Sequence, residues 1–116
     1  MNTASIMGLI ASEQIAQPAY TATKHAVIGL TKAAALQYAK RNIRVNAICP
    51  VVTLTDMVRK AFDSGPEARK VLESGSPLGR IAQPEEMAEA AVWLASFKSS
   101  FVTGHSLVVD GGFSVQ

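Results

Sequence analysis

Near the middle of the chain the hydrophobic period changes, and this constrains the fold more than any other feature. From Ile15 to Arg41 the sequence is Ala-rich, with Val27, Leu30, Ala34 and Tyr38 spaced at three and four, the repeat of a helix with one apolar stripe. Asn42 is a suitable left-handed stop, and Lys40 and Arg41 favour the negative end of the helix. Directly after it Ile43, Val45 and Ala47 alternate with Arg44 and Asn46, Ile48 and Cys49 extend the run, and Pro50 closes it. A long helix feeding a short buried strand is half of a strand–helix–strand unit, which belongs to a parallel sheet.

The flanking segments repeat that alternation. Met1 to Ser5 is a strand stub before Gly8, and Ser106 to Val109 is a buried strand closed by Asp110-Gly111-Gly112. Pro84 opens a helix whose first turn carries Glu85 and Glu86; Met87, Ala88, Ala91, Leu94 and Ala95 make its expected buried face, and it should end near Phe97 to Ser99. Between Thr53 and Ser76 two short helices, Asp56 to Asp63 and Glu67 to Glu73, flank a Ser64-Gly65-Pro66 break; such a segment is either a lid or a variable surface connection. The order predicts an α/β fold with a parallel sheet.

Length limits this fold. A complete doubly wound sheet has about six strands and, at roughly 30 residues per strand–helix unit, needs about 180 residues. The chain has 116. Hydrophobic residues make up 48% and charged residues 17%, so a packed core rather than disorder is expected. The formal charge is +2 with no basic run longer than Lys40-Arg41, so neither nucleic acid nor a membrane surface is an expected partner. Cys49 is the single cysteine and His25 and His105 lie far apart, so no metal site is expected. With no basic-then-apolar leader and no apolar stretch longer than Ala90 to Ala95, the expected compartment is the cytoplasm.

Tyr20 and Lys24 are the residues most suited to chemistry. Four apart, they project from one helix face. A phenol is a poor proton carrier at neutral pH unless a cation stabilises its phenolate, so the pair is a plausible acid/base unit. The spacing alone recurs by chance, and the surroundings decide. Pro18-Ala19-Tyr20-Thr21-Ala22-Thr23-Lys24-His25-Ala26-Val27, with Gly29-Leu30-Thr31 and Ala33-Ala34-Ala35-Leu36, closely resembles the active-site helix of the short-chain dehydrogenase/reductase family. The resemblance continues through Ile43-Arg44-Val45-Asn46-Ala47-Ile48-Cys49-Pro50, Pro77-Leu78-Gly79-Arg80, Pro84-Glu85-Glu86 and Thr103-Gly104-His105 to Asp110-Gly111-Gly112. It spans nearly the whole chain, in family order.

That resemblance implies the C-terminal part of a doubly wound, Rossmann-type parallel sheet, residues 1–116 forming one partial domain whose N-terminal dinucleotide-binding half is absent. Tyr20 would be the general acid/base, and Lys24 would stabilise its phenolate and hold the nicotinamide ribose. Ser5, in Asn2-Thr3-Ala4-Ser5, would orient the substrate oxygen and is preferred to Ser12, although Gly8 to Pro18 is about two residues longer than the family's usual connection. Pro50-Val51 stands where the family has Pro-Gly next to the cofactor; a β-branched residue resists positive φ, so a displaced loop is expected. Thr53 would contact the nicotinamide amide through its backbone, Thr55 would lie near the carboxamide and phosphates, and residues 53–76 would be the substrate lid.

The implied cofactor is NAD or NADP, the implied substrate a small alcohol or carbonyl compound, and the implied complete form a homo-oligomer, dimer or tetramer. No Gly-x-x-x-Gly-x-Gly or Gly-x-Gly-x-x-Gly turn occurs, so the chain alone is expected to bind a dinucleotide weakly or not at all. The alternative is a non-catalytic remnant or interaction module that pairs with a related subunit. His25 and His105 read as surface residues, Cys49 as a core thiol, and Trp93 and Met87 as packing residues.

Overall fold

The computed structural model describes residues 1–13 and 17–116. Three strands, β1 (Asn2–Thr3), β2 (Ala47–Pro50) and β3 (Ser106–Val109), form a parallel sheet in the order β1-β2-β3. Four helices lie around it: α1 (Pro18–Tyr38), α2 (Asp56–Phe62), α3 (Pro66–Ser74) and α4 (Pro84–Ala95). Three parallel strands with crossover helices are the expected α/β arrangement of a Rossmann-type sheet. The central strand β2 is closed on both faces, Ala47 and Cys49 being fully buried and Ile48 nearly so, as strands of parallel sheets are.

Helix α1 starts with Pro18 in its first turn, and the expected start at Ile15 lies outside the described residues. Its end matches expectation: after a single 3-10 turn, Ala39–Arg41, Asn42 takes the left-handed conformation at φ 59° and ψ 31°. The buried stripe is rotated from the expected one. Ile28, Thr31 and Ala35 face the sheet, whereas Leu30 is 63% exposed. Thr31 can be buried because its hydroxyl donates to Val27 O at 2.8 Å and accepts from Asn2 Nδ2 at 2.9 Å, which ties α1 to β1.

Strand β2 begins later than the alternation suggests, at Ala47 rather than Ile43. Ile43 is 45% exposed, and Asn46, read as an outward polar position, is buried. The cause is side-chain bonding to the loop before β3: Asn46 donates to Val102 O at 2.8 Å and accepts from His105 N at 3.0 Å. Arg44 reaches across to Leu94 O, Ser96 O and Val102 O at 3.0–3.1 Å, supplying donors to carbonyls at the open end of α4 and in the loop before β3.

Helix α4 buries Leu94 fully, whereas Ala88 and Ala95, expected to be buried, are exposed, as is Trp93, expected to pack. The three-strand sheet is narrow and covers only one line of this helix. Helices α2 and α3 bury no residue completely. At the base of this two-helix segment, Thr53 bridges Ala82 and Leu54 N donates to Ala82 O at 2.9 Å, so the chain leaves and returns at one point. One core cluster, Ala4, Ile28, Ala47 and Cys49, lies between α1 and the sheet; a second joins Ile6, Met7 and Phe113, with Ile10 and Val51 against it. Among the described residues no helix is long and apolar enough to cross a membrane.

Candidate active site

Ser5 follows β1 in an extended conformation, and its Oγ accepts from Met7 N at 3.2 Å, capping the short 3-10 turn Ile6–Gly8. Accepting that bond leaves the hydroxyl proton available to a substrate oxygen. The turn lies tight against α1. A Cβ on Gly8 would sit 2.7 Å from Lys24 O and 2.8 Å from the Ile28 side chain, so only glycine permits this approach.

Across that contact Lys24 Nζ donates to Thr3 O at 3.2 Å and lies 5.4 Å from the centre of the Tyr20 ring. Lys24 therefore links the Tyr20 face of α1 to the strand end that carries Ser5. Tyr20 is 41% exposed, and its hydroxyl bonds no protein group among the described residues. The three residues singled out from the sequence thus lie at one corner of the molecule.

The remaining sequence-derived positions, Pro50, Val51, Thr53 and Thr55, lie at and beyond the end of β2. Val51 does not take the positive φ that a β-branched residue resists. Asn42 is the only non-glycine with positive φ among the described residues, and Val51 N donates to Val109 O at 3.3 Å, continuing the sheet direction. Its side chain packs into the Ile6, Met7 and Phe113 cluster instead, so valine fills space where glycine would leave none filled. Thr53 Oγ1 donates to Val51 O at 3.0 Å, and Thr55 caps the start of α2, its carbonyl accepting from Val58 N and Arg59 N at 2.9 Å.

Burial pushes the Cys49 thiol up, offset in part by the Ser5 backbone, the Ser106 side chain and the Lys24 charge. This is an inert core thiol. Burial would also raise Asp110, but hydrogen bonds from Ser114 and Gly112 outweigh it and hold the carboxyl below its ordinary value. His25 Nδ1 lies 3.0 Å from Thr21 O on the helix surface, and His105 is exposed. Among the described residues no group of three or more His, Cys, Asp or Glu converges as metal ligands would.

A cavity of about 360 Å³ opens beside Val51, between the ends of β2 and β3, helix α3 and the first turn of α4. Sequence reasoning missed it. Its lining comes from segments far apart in the chain, and the one local signal was Val51 in a position where the resembling family has glycine.

These features define the class to which the chain can be compared: a parallel α/β sheet with a Tyr/Lys pair on the helix beside a serine-bearing strand end. A family model described as "Enoyl-(Acyl carrier protein) reductase" matches residues 1–114. The A-factor type gamma-butyrolactone 1'-reductase (1S-forming) of Streptomyces virginiae is 50% identical over 115 residues, 99% of this chain and 44% of that protein. Among solved structures, 4-hydroxyisoleucine dehydrogenase complexed with NADH matches with a TM-score of 0.90 at 36% identity, covering 99% of this chain and 46% of that one. ElxO with NADP bound matches with a TM-score of 0.90 at 37% identity over the same shares, 99% and 46%. The chain belongs to the short-chain dehydrogenase/reductase family and corresponds to the C-terminal part of its doubly wound sheet. It spans less than half the length of these relatives.

Proposed function

We propose that this chain carries the proton-transfer group and the substrate-facing loops of an oxidoreductase that interconverts a small alcohol and a carbonyl compound with NAD or NADP. One observation carries the reading: the Lys24 ammonium bridges the Tyr20 ring and the strand end leading to Ser5. In reduction the Tyr20 hydroxyl gives its proton to the carbonyl oxygen, and in oxidation the phenolate takes it back. Lys24 stabilises that phenolate, and the Ser5 hydroxyl hydrogen-bonds the same substrate oxygen. The cofactor, when bound, supplies the hydride in reduction and accepts it in oxidation.

The residues present suit the nicotinamide–ribose end of such a cofactor. Lys24 uses one of its three N–H groups on Thr3 O, leaving two for ribose hydroxyls. Pro50, Val51, Thr53 and Thr55 are the candidates to flank the nicotinamide ring and its amide. The pyrophosphate end has no counterpart, because no Gly-rich turn occurs in these 116 residues. Residues 53–76, anchored at the Thr53–Ala82 bridge, serve as the substrate lid. Exposed Leu30, Leu36, Val92, Phe97 and Phe101 support a homo-oligomeric complete form.

The test is Tyr20→Phe in the complete enzyme. We expect kcat to fall about 10²- to 10⁴-fold, the usual worth of a positioned acid/base, with cofactor affinity and fold unchanged. Wild-type turnover by that variant would overturn the mechanism.

A further inference from the structure

Among the described residues, two side-chain hydrogen bonds hold helix α1 to β1, and only one of them involves a group placed in the reaction. Lys24 Nζ donates to Thr3 O at 3.2 Å. Two helical turns further on, Asn2 Nδ2 donates to Thr31 Oγ1 at 2.9 Å. Seven residues apart, Lys24 and Thr31 lie on nearly one line of the helix. Between them the contact is apolar: Ile28 packs with Ala4, Ala47 and Cys49, and Gly8 lies against the Lys24 carbonyl. Burial of such surfaces is non-directional and does not by itself fix how far the helix slides along the strand. A hydrogen bond, which depends on distance and angle, does.

Of the three buried residues of α1, Ile28, Thr31 and Ala35, only Thr31 is polar. Its hydroxyl proton is used on Val27 O at 2.8 Å, so its oxygen meets Asn2 as an acceptor and the Asn2 amide donates. Valine has nearly the same shape and would fill this place without desolvating a hydroxyl, so packing does not account for the threonine. The strand end of the bond is fixed too: Asn2 N donates to Asn46 O at 2.8 Å, and Asn2 pairs with Ala47 of the central strand. We infer that Asn2 and Thr31 are a positioning pair for the reaction: their hydrogen bond sets the height and rotation of α1 on β1, and so brings Lys24 to Thr3 O, beside Tyr20 and the strand end leading to Ser5. The catalytic consequence rests on the oxidoreductase reading, whereas the dependence of the Lys24 contact on the pair does not.

The test uses the complete protein with Asn2→Leu and Thr31→Val, which remove the bond at little change in shape, and Thr31→Ser, which keeps it. Crystal structures should place Lys24 Nζ beyond about 3.5 Å from Thr3 O in the first two variants and within that distance in the third. With cyclohexanone as probe substrate and NADH or NADPH, kcat should fall about ten- to a hundredfold in Asn2→Leu and Thr31→Val, the effect of a misplacement of about 1 Å, with KM unchanged. Thr31→Ser should keep the wild-type kcat, and the variant combining Asn2→Leu with Thr31→Val should be no worse than either alone, because both remove the same bond. A merely stabilising bond would lower the unfolding midpoint and leave kcat per folded molecule as it was. An unmoved Lys24, a wild-type kcat, a loss confined to KM, or additive losses in the combined variant overturns the inference. If Thr31→Val does not fold, Asn2→Leu at its half-buried position decides, and if the wild type does not turn over cyclohexanone, the structures decide. Tyr20→Phe keeps the two readings apart. Wild-type turnover by that variant overturns the catalytic reading while the structures still decide whether the pair places Lys24, and lost turnover with an unmoved Lys24 in Thr31→Val overturns the positioning pair only.

Discussion

Gly8 governs how closely the Ser5 turn can lie against the Tyr20–Lys24 helix. A methyl group there would meet the Lys24 carbonyl, which is backbone and cannot rotate away, as well as the Ile28 side chain. Gly8→Ala should therefore destabilise the fold by about 1–3 kcal/mol, the usual cost of overpacking, read as a lower urea midpoint. It should also move Ser5 away from Lys24. A variant with the wild-type midpoint would show that α1 can shift at no cost. From the sequence Gly8 read only as a break after a strand stub, because what it makes room for is fifteen or more residues further along. Tyr20 and Lys24 were legible as a candidate pair from residue type and spacing together with their surroundings, and Ser5 only through the resemblance to the family. Val51 was legible as a departure from the family pattern, but its consequence was not: an ordinary backbone conformation and a side chain that fills a cluster.

Element boundaries followed from local physics. Pro18, Asn42, Pro66 and Pro84 punctuate the helices where each residue's backbone preference allows, and β3 spans the expected Ser106–Val109. Which face of each element is buried did not follow. Leu30 is outside and Thr31 inside, and Arg44 and Asn46 serve the ends of other elements, because burial depends on the partner surface and on hydrogen bonds to distant carbonyls. The start of α4 has a pH signature. The Arg80 guanidinium, followed by the Gln83 N–H, draws the Glu86 carboxyl from 4.5 down to about 2. A depressed carboxyl favours the folded state fully above its unfolded value, and that contribution fades as pH falls from 4.5 through about 2. An NMR titration of Glu86 should show a midpoint near 2, rising towards 4.5 in Arg80→Ala but held somewhat below it by Gln83. A midpoint indifferent to loss of Arg80 would refute the pairing.

For the whole molecule, the shape is extended and the surface carries exposed apolar side chains. The radius of gyration is 15.3 Å, with extents of 52 × 29 × 25 Å, whereas a compact domain of this size has about 13 Å. Phe97 and Phe101 are almost wholly exposed, and the narrow sheet leaves strand edges at β1 and β3. Apolar surface and unpaired strand edges of this kind favour contact with other protein. Because no phosphate-cradling turn lies within the 116 residues, NADH and NADPH should bind them only weakly, with calorimetric titrations that do not saturate below ~1 mM. Micromolar affinity would contradict this. What the sequence by itself determined was the alternation of helix and strand, the family, the candidate acid/base pair and the shortage of strands, all properties of local period, residue type and order. Only the tertiary structure decided which helix face is buried, why Gly8 must be glycine, how Lys24 joins Tyr20 to the Ser5 strand, and that an apolar cavity lies behind Val51. Each of these depends on atoms brought together from distant parts of the chain, and distances through space are not encoded in any local pattern of residues.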